Sequence, residues 1–345
     1  MIRTVLVAPD KFRGTVTARE AAESMARGVS SRGWAVRQLP LSDGGEGLLD
    51  ALSPLGGERS TVEVEGPLGE PVAAEWLRVG EVAVVEMAQA SGLQLAGGAA
   101  GNDPLGATTR GTGQLIVAAA RSVAAGPGTV VVGLGGSATT DGGRGALAVV
   151  EEAGGLGGVD LVGAYDVDVG FLEAAPRFGP QKGAAPAQVA ELGRRLEQLA
   201  GRYVERYGID VRTVAGAGAA GGLGGAIAVL GGRLRSGYEV VAELLDLDRV
   251  LRSSQAVVTG EGAFDATSLL GKVVGSVLRD ASAAGVPVVI VAGQVIEEAA
   301  AVAAAAGASV VSLTERFGAA RALGDTARCI QVAAAEGLDA LARPS

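Results

Sequence analysis

Three glycine-rich loops that carry carboxylates hold the chemistry of this chain. They are Asp43-Gly44-Gly45-Glu46-Gly47, the run from Gly133 to Gly143 (Gly-Leu-Gly-Gly-Ser-Ala-Thr-Thr-Asp-Gly-Gly) and Gly260-Glu261-Gly262-Ala263-Phe264-Asp265, and each follows an apolar run. Glycine lets backbone N–H groups come close to an anion, and a helix starting there adds a favourable dipole, so such loops suit phosphate. An acid facing bare phosphate is repelled. An acid that holds a hard cation, or accepts a hydroxyl proton, belongs in such a loop, so the pattern points to Mg²⁺ and phosphoryl chemistry. Lys182, in Gly179-Pro180-Gln181-Lys182-Gly183, and Lys272, just after Ser268-Leu269-Leu270-Gly271, sit within a few residues of turns. There a lysine either meets phosphate oxygens or a substrate carboxylate, or is simply a solvated loop residue.

Further candidates lie where apolar runs end. Asp10, Lys11 and Arg13 follow the first run directly, Asp43 follows the second, and Glu261 and Asp265 follow a later one. In open α/β sheets the carboxyl edge is where ligands bind. Each acid alone reads equally well as a helix cap or turn residue, but several on one edge predict a site. Glu86 is either a ligand or a satisfied edge acid, and Thr108 to Gly113 either binds an anion or caps a helix. Gly133–Ala138 and Gly216–Gly221 match the dinucleotide fingerprint, which arises easily among 56 glycines. That fingerprint also needs an acid about 20 residues further on, at a strand end. Glu151 and Glu152 fall instead in a predicted helix, which leaves a nicotinamide-dependent oxidoreductase as a minor alternative. No Gly-x-x-x-x-Gly-Lys-Ser/Thr loop occurs. With no histidine, a Ser-His-Asp triad, a Cys-His pair and an imidazole zinc site are excluded, and acid–base work falls to Asp, Glu, Lys or Tyr.

The elements that must carry these residues alternate. Val5–Ala8 reads as a buried strand, and Thr17 with Glu20 as a capping box opening a helix. Val36–Leu41 is a second strand and Leu48–Leu52 starts another helix. From Thr61 to Ala83 the residues alternate, with turn signals at Gly66-Pro67 and Gly69, an antiparallel pattern. Val82–Met87, Thr129–Gly133, Ala256–Thr259, Val286–Ala292 and Ser309–Leu313 read as strands. Gly111–Ala124, Gly143–Ala153 and the segment opened by Pro186 to about Tyr207 read as helices. The fold class expected is α/β, a Rossmann-like, doubly wound parallel-sheet domain interrupted by an inserted α/β domain. The expected boundaries are 1–60 with 246–345 for the first domain and 61–245 for the second, with the active-site cleft between them.

At 345 residues two cores are the prior expectation. Apolar residues reach 48% and aromatics only 3%, so Ala, Val and Leu must fill those cores. One cysteine, Cys329, excludes an intramolecular disulfide framework and fits a reducing compartment. The apolar start is too short for a signal peptide and no apolar run spans a membrane, so a cytoplasmic protein with no membrane partner is expected. A net charge of −9 argues against nucleic acid as a partner.

Taken together, Ala8-Pro9-Asp10-Lys11-Phe12-Arg13-Gly14-Thr15, Ser42 to Gly47, Glu86 to Leu93, Gly111-Thr112-Gly113, Gly133 to Gly143, Phe178 to Gly183, Gly216 to Gly222 and Thr259 to Lys272 resemble the bacterial glycerate kinase family. The likeness runs in order along nearly the whole chain. It implies ATP and Mg²⁺ as co-substrates and phosphorylation of a hydroxyl of D-glycerate, to 2-phosphoglycerate, or of a similar small hydroxy acid, by a monomer or homodimer. On this resemblance Asp43, Asp265 and Lys272 are catalytic, and Asp10, Lys11, Arg13, Lys182 and Glu261 bind substrate. Gly135, Gly136, Ser137, Thr139 and Gly142 hold nucleotide, Asp141 and Asp166 hold metal, and Glu46 lies in or near the cleft. The sequence departs from the family in three places. Asp166-Val167-Asp168 runs on to Pro176 without the family's Asn-Pro turn, the stretch from Gly145 to Asp166 is short, and Leu270 stands where relatives often have histidine. The alternative these departures raise is a repurposed family member that binds a metabolite without transferring phosphate.

Overall fold

The computed structural model describes residues 3–12 and 14–341, so Arg13 lies outside the described residues. Its strands, in chain order, are β1 (Thr4–Val7), β2 (Ala35–Gln38), β3 (Glu58–Glu65), β4 (Pro71–Val79), β5 (Val82–Glu86), β6 (Thr129–Gly133), β7 (Asp160–Tyr165), β8 (Arg233–Ser236), β9 (Ala256–Phe264), β10 (Val288–Val295) and β11 (Ser309–Ser312). They form two sheets, in two compact units: Met1–Asp43, Asp50–Pro54 and Tyr238–Ser345 make the first, Gly44–Leu49 and Leu55–Gly237 the second.

In the first unit the order β11-β10-β9-β1-β2 is parallel throughout. Val5, Val7, Val258 and Val291 are fully buried, and with Met25 and Ile330 from the flanking helices they make one core. β-branched residues buried on both faces are what a parallel sheet requires. The helix Ala18–Ser30 begins where the capping box places it: Glu20 N donates to Thr17 Oγ1 at 3.2 Å and Thr17 N to Glu20 Oε2 at 2.8 Å. Cys329, 1% exposed on the helix Thr326–Leu341, serves packing in this core.

The second unit is mixed. β3, β4 and β5 pair antiparallel, as the alternation from Thr61 to Ala83 predicts, and β5 to β8 pair parallel. β3 starts at Glu58, which pairs with Arg78, so the second sheet opens before residue 61. The first unit resumes at Tyr238, whose buried hydroxyl donates to Asp280 Oδ2 at 2.7 Å. Both sheets are flanked by helices.

Glycine is forced at one packing point with a testable cost. Gly221 has φ +69°, and a Cβ there would lie 1.9 Å from the Thr139 carbonyl oxygen. Gly221→Ala is expected to lower stability by about 2–4 kcal/mol, since neither the backbone conformation nor a carbonyl can yield cheaply. Urea unfolding midpoints check this, and a midpoint equal to that of the parent chain would show that the Thr139 loop gives way freely.

Candidate active site

In the first unit, parallel pairing of β1 with β9 brings two acids side by side just past the strand ends. Asp10 N donates to the Gly260 carbonyl at 2.9 Å, which sets Asp10 next to Glu261. Both side chains are buried, Asp10 at 6% and Glu261 at 7% exposure. Lys11 N donates to Asp10 Oδ1 at 2.7 Å, while Lys11 Nζ stands 3.7 Å from Asp43 Oδ1. Burial is the main reason the Asp10 carboxyl is pushed up to about 7; the charge of Asp43 adds to the rise, and Lys11 opposes it. Burial likewise pushes Glu261 up to about 7, against the Ser268 hydroxyl and Lys272. Glu261 Oε1 is buried and has no hydrogen-bond partner among the described residues. An orphaned buried carboxylate oxygen is costly unless a ligand, a cation or a proton completes it.

Asp265 has a different environment. Its Oδ1 accepts from Thr267 N at 2.8 Å, Thr267 Oγ1 at 2.6 Å and Ser268 N at 3.2 Å, and the Thr267 hydroxyl is the leading cause of its lowered pKa. Lys272 Nζ donates to the same Thr267 hydroxyl at 2.8 Å. Asp265, Thr267 and Lys272 thus brace the turn into the helix Val273–Ala283.

In the second unit β6 delivers the chain into the loop from Gly133 to Gly143. The helix after it opens only at Arg144, so the Gly133–Ala138 match lacks the strand-to-helix turn of a dinucleotide fingerprint. A Cβ on Gly135 would lie 2.4 Å from Gly45 Cα, and one on Gly136 2.5 Å from Glu46 Oε1. The two glycine loops of this unit therefore touch through backbone that admits no side chain. Glu86, at the end of β5, accepts from Leu49 N at 2.8 Å and Gly47 N at 3.3 Å, and is a satisfied edge acid.

Lys182 is the unusual group here. At 3% exposure it donates to Ser137 Oγ and to the Thr139 carbonyl, both at 2.7 Å. Burial pulls its amine down to about 7, with Asp141 opposing. Two buried oxygens of neighbouring residues, Asn102 Oδ1 and Thr139 Oγ1, have no hydrogen-bond partner among the described residues. The Asn102 amide donates to the Ala138 and Lys182 carbonyls at 3.0 and 2.9 Å. An ammonium has three donors and two are used. The lysine and these open oxygens suit a ligand carrying both phosphate oxygens and a hydroxyl.

Asp141, expected as a metal ligand, has another task in this structure. Its Oδ2 accepts from Thr109 N (3.0 Å), Thr109 Oγ1 (2.8 Å) and Gly145 N (3.1 Å), and its Oδ1 from Gly143 N (3.0 Å). It clamps the starts of the helices Arg110–Val123 and Arg144–Glu152, and its lone pairs are spent on that. Asp166, the other expected metal ligand, is exposed just past β7. Among the described residues no three of His, Cys, Asp and Glu are grouped to hold a metal ion. That argues against an all-protein cage; a Mg²⁺ held by one or two carboxylates plus phosphate oxygens is the arrangement the acids fit.

The structure thus groups Asp10, Lys11, Asp43 and Glu261, links Asp265 to Lys272, and groups Ser137, Thr139 and Lys182. Thr109, in the segment expected either to bind an anion or to cap a helix, stands at the N-cap of the helix Arg110–Val123 and donates to Asp141; Asn102 escapes sequence reasoning, since a lone Asn before Asp-Pro carries no signal of its own. No helix among the described residues is long and apolar enough to cross a membrane.

One parallel and one mixed sheet, both flanked by helices, carry these groups at strand ends and in a glycine loop, and the comparisons with known proteins show the class: a kinase that transfers phosphate to a hydroxyl group. The chain belongs to the glycerate kinase family, whose model matches residues 5–152 and 151–341. It is 38% identical to a glycerate kinase of Halalkalibacterium halodurans, over 85% of this chain and 86% of the relative. It is 36% identical to the glycerate 2-kinase of Escherichia coli, again over 85% and 86%. The crystal structure of a putative glycerate kinase 2 from Salmonella typhimurium LT2 superimposes with a TM-score of 0.80 at 29% identity, covering 99% of each chain.

Proposed function

We propose that the protein uses ATP to phosphorylate D-glycerate at its 2-hydroxyl, giving 2-phosphoglycerate and ADP. The observation that carries this reading is Lys182, buried on the glycine loop with one ammonium donor to spare. The hydroxyl oxygen attacks the γ-phosphorus, the bond from that phosphorus to the β,γ-bridging oxygen breaks, and ADP leaves. Asp10 receives the hydroxyl proton, because a carboxyl pushed up to about 7 both accepts and releases a proton near neutrality. Asp43 supports it by holding Lys11 and by raising Asp10. This reading departs from the expectation that Asp43 or Asp265 acts directly: Asp43 is engaged with Lys11, and Asp265 is committed to its turn. Lys11 binds the substrate carboxylate.

Gly135, Gly136, Ser137, Thr139 and Gly142 form the nucleotide loop, where Lys182 meets phosphate oxygens and stabilises charge on the transferred group. Glu261, through its orphaned oxygen, and Asp43 are the residues that would hold Mg²⁺. When bound, that ion supplies charge neutralisation to the nucleotide phosphates.

A coupled ADP-release assay over glycerate, tartronate-like acids and sugar acids tests the reading, with ³¹P NMR locating the phosphate. Glycerate is expected to give the highest kcat/KM, with phosphate on the 2-oxygen. Nucleotide binding without ADP release on any hydroxy acid would support the repurposed-binder alternative instead. Phosphate on the 3-oxygen would overturn the product assignment.

A further inference from the structure

We propose that the second unit carries a separate binding site for a nucleoside phosphate, built on the helix Pro186–Tyr207 and the start of the helix Arg144–Glu152. The site is formed by two cavities that share Arg144, Leu199 and Arg202. The first, about 300 Å³, is walled by Thr140, Asp141 and the segment 104–107, and is lined by Arg144, Arg195 and Arg202. The second, about 410 Å³, is mostly apolar and is lined by Leu147, Tyr203 and Tyr207. Together they have the size and the polar-to-apolar division of a small-ligand pocket. Thr140 and Asp141 belong to the glycine loop, so the site borders it, but Gly135, Gly136, Ser137, Thr139, Gly142 and Lys182 line neither cavity, which sets the site apart from the groups assigned to phosphoryl transfer.

Charge decides what enters. The chain as a whole carries −9, yet the acids in the first cavity are already neutralised or occupied. Asp141 accepts four donors from the protein, and Glu191 is paired with Arg194 and Arg195. Arg195 also donates to the Leu105 carbonyl at 2.9 Å. The guanidinium groups of Arg144 and Arg202 have no ion pair or hydrogen bond among the described residues. Two free guanidinium forks facing one cavity match the oxygens of a phosphate or diphosphate.

The second cavity sets the rest of the ligand. Tyr207 donates to Glu151 at 2.6 Å and lies under Arg206, 5.2 Å from its ring centroid, so Glu151 is neutralised on the spot. The Glu205 carboxylate, in the lining of this cavity, has no hydrogen bond or ion pair among the described residues. It repels phosphate and accepts from hydroxyl or amino groups. Phosphate at the arginines, with a sugar and a base against Ala148 and Tyr207 and a hydroxyl or amino group toward Glu205, fits these constraints.

Photolabelling with 8-azido-ADP tests this, with peptide mapping of the attachment point. The expected result is label on the helix Pro186–Tyr207, displaced by ADP. In the double variant Arg144→Ala/Arg202→Ala the label there should fall by about tenfold or more, the loss of at least one good phosphate contact. Turnover of glycerate with ATP should stay within about twofold, as neither arginine belongs to the phosphoryl-transfer groups. If the alanine variant folds poorly, Arg144→Gln/Arg202→Gln keeps the side-chain stems and is read in the same way. The proposal is overturned if the helix takes no displaceable label in the parent protein, or if the variants label as the parent does. It is also overturned if turnover falls in step with labelling, because the cavity would then be the catalytic nucleotide seat and not a second site. Labelling is read without turnover, so failure of the kinase reading leaves this test intact.

Discussion

Asp10→Asn is expected to cut kcat by about 10²- to 10⁴-fold, the range for loss of a positioned proton acceptor, and to make the protein more resistant to denaturant above pH 7. The second half follows from the sign of the shift. The Asp10 carboxyl rises from 3.8 to about 7 on folding and that of Glu261 from 4.5 to about 7. Between about pH 4 and 7 the native state therefore binds more protons than the unfolded chain, and stability falls as pH rises through that window. The contribution is fully present at low pH and gone once both acids ionise in the fold. Asn keeps the shape and removes the charge, so the variant should keep at pH 8 what the parent loses. Glu261→Gln should act in the same direction. The measurement is a set of urea midpoints at pH 5 and pH 8 beside kcat at pH 8. A variant with parental turnover would remove Asp10 as proton acceptor. One that is destabilised equally at both pH values would show that burial does not control this carboxyl.

That trade between stability and function also explains what the sequence reveals and what it hides. β1, β6, β10 and the first half of β9 are legible because Val, Ile and other apolar residues run together where both faces of a sheet are covered. The helix Pro186–Tyr207 is legible to both ends because Pro186 takes the first helical position and Gly208 the left-handed exit. β8 is not. Its Arg-Leu-Arg-Ser is a short edge strand, half-exposed, and holds its place through pairing with β7 rather than through any pattern of its own. Motif loops show which residues are candidates but not what each one does. Asp141 and Asp265 look like their neighbours in sequence, and only contacts with Thr109, Gly145, Thr267 and Ser268 make one a helix clamp and the other a turn brace. Lys182 reads as an ordinary loop lysine until Ser137 and Thr139, more than forty residues earlier, close over it. Burial is a property of the assembled unit, so no local signal carries it.

The same lysine carries the second large effect. Lys182→Met is expected to lower kcat by about 10²- to 10³-fold, the usual cost of removing one preorganised donor to transition-state charge. Its pH signature is opposite to that of Asp10. The amine falls from 10.5 in the unfolded chain to about 7 in the fold, so between about pH 7 and 10 the unfolded state binds more protons and stability rises with pH. Methionine fills a similar volume without a charge and should abolish that rise, while leaving the Thr139 carbonyl short of one donor at a cost of about 1–3 kcal/mol. Urea midpoints of both proteins at pH 7 and 9.5 decide the matter, and parallel slopes would mean that Lys182 is not held neutral by burial. Two buried acids lose their contribution as pH climbs to about 7, and one buried amine begins to regain its own above about 7, so these three groups contribute least to stability near neutrality. Near that pH each is half-titrated and, on the proposed reading, able to pass or stabilise charge, and both effects have one physical cause: charge buried without a full set of partners.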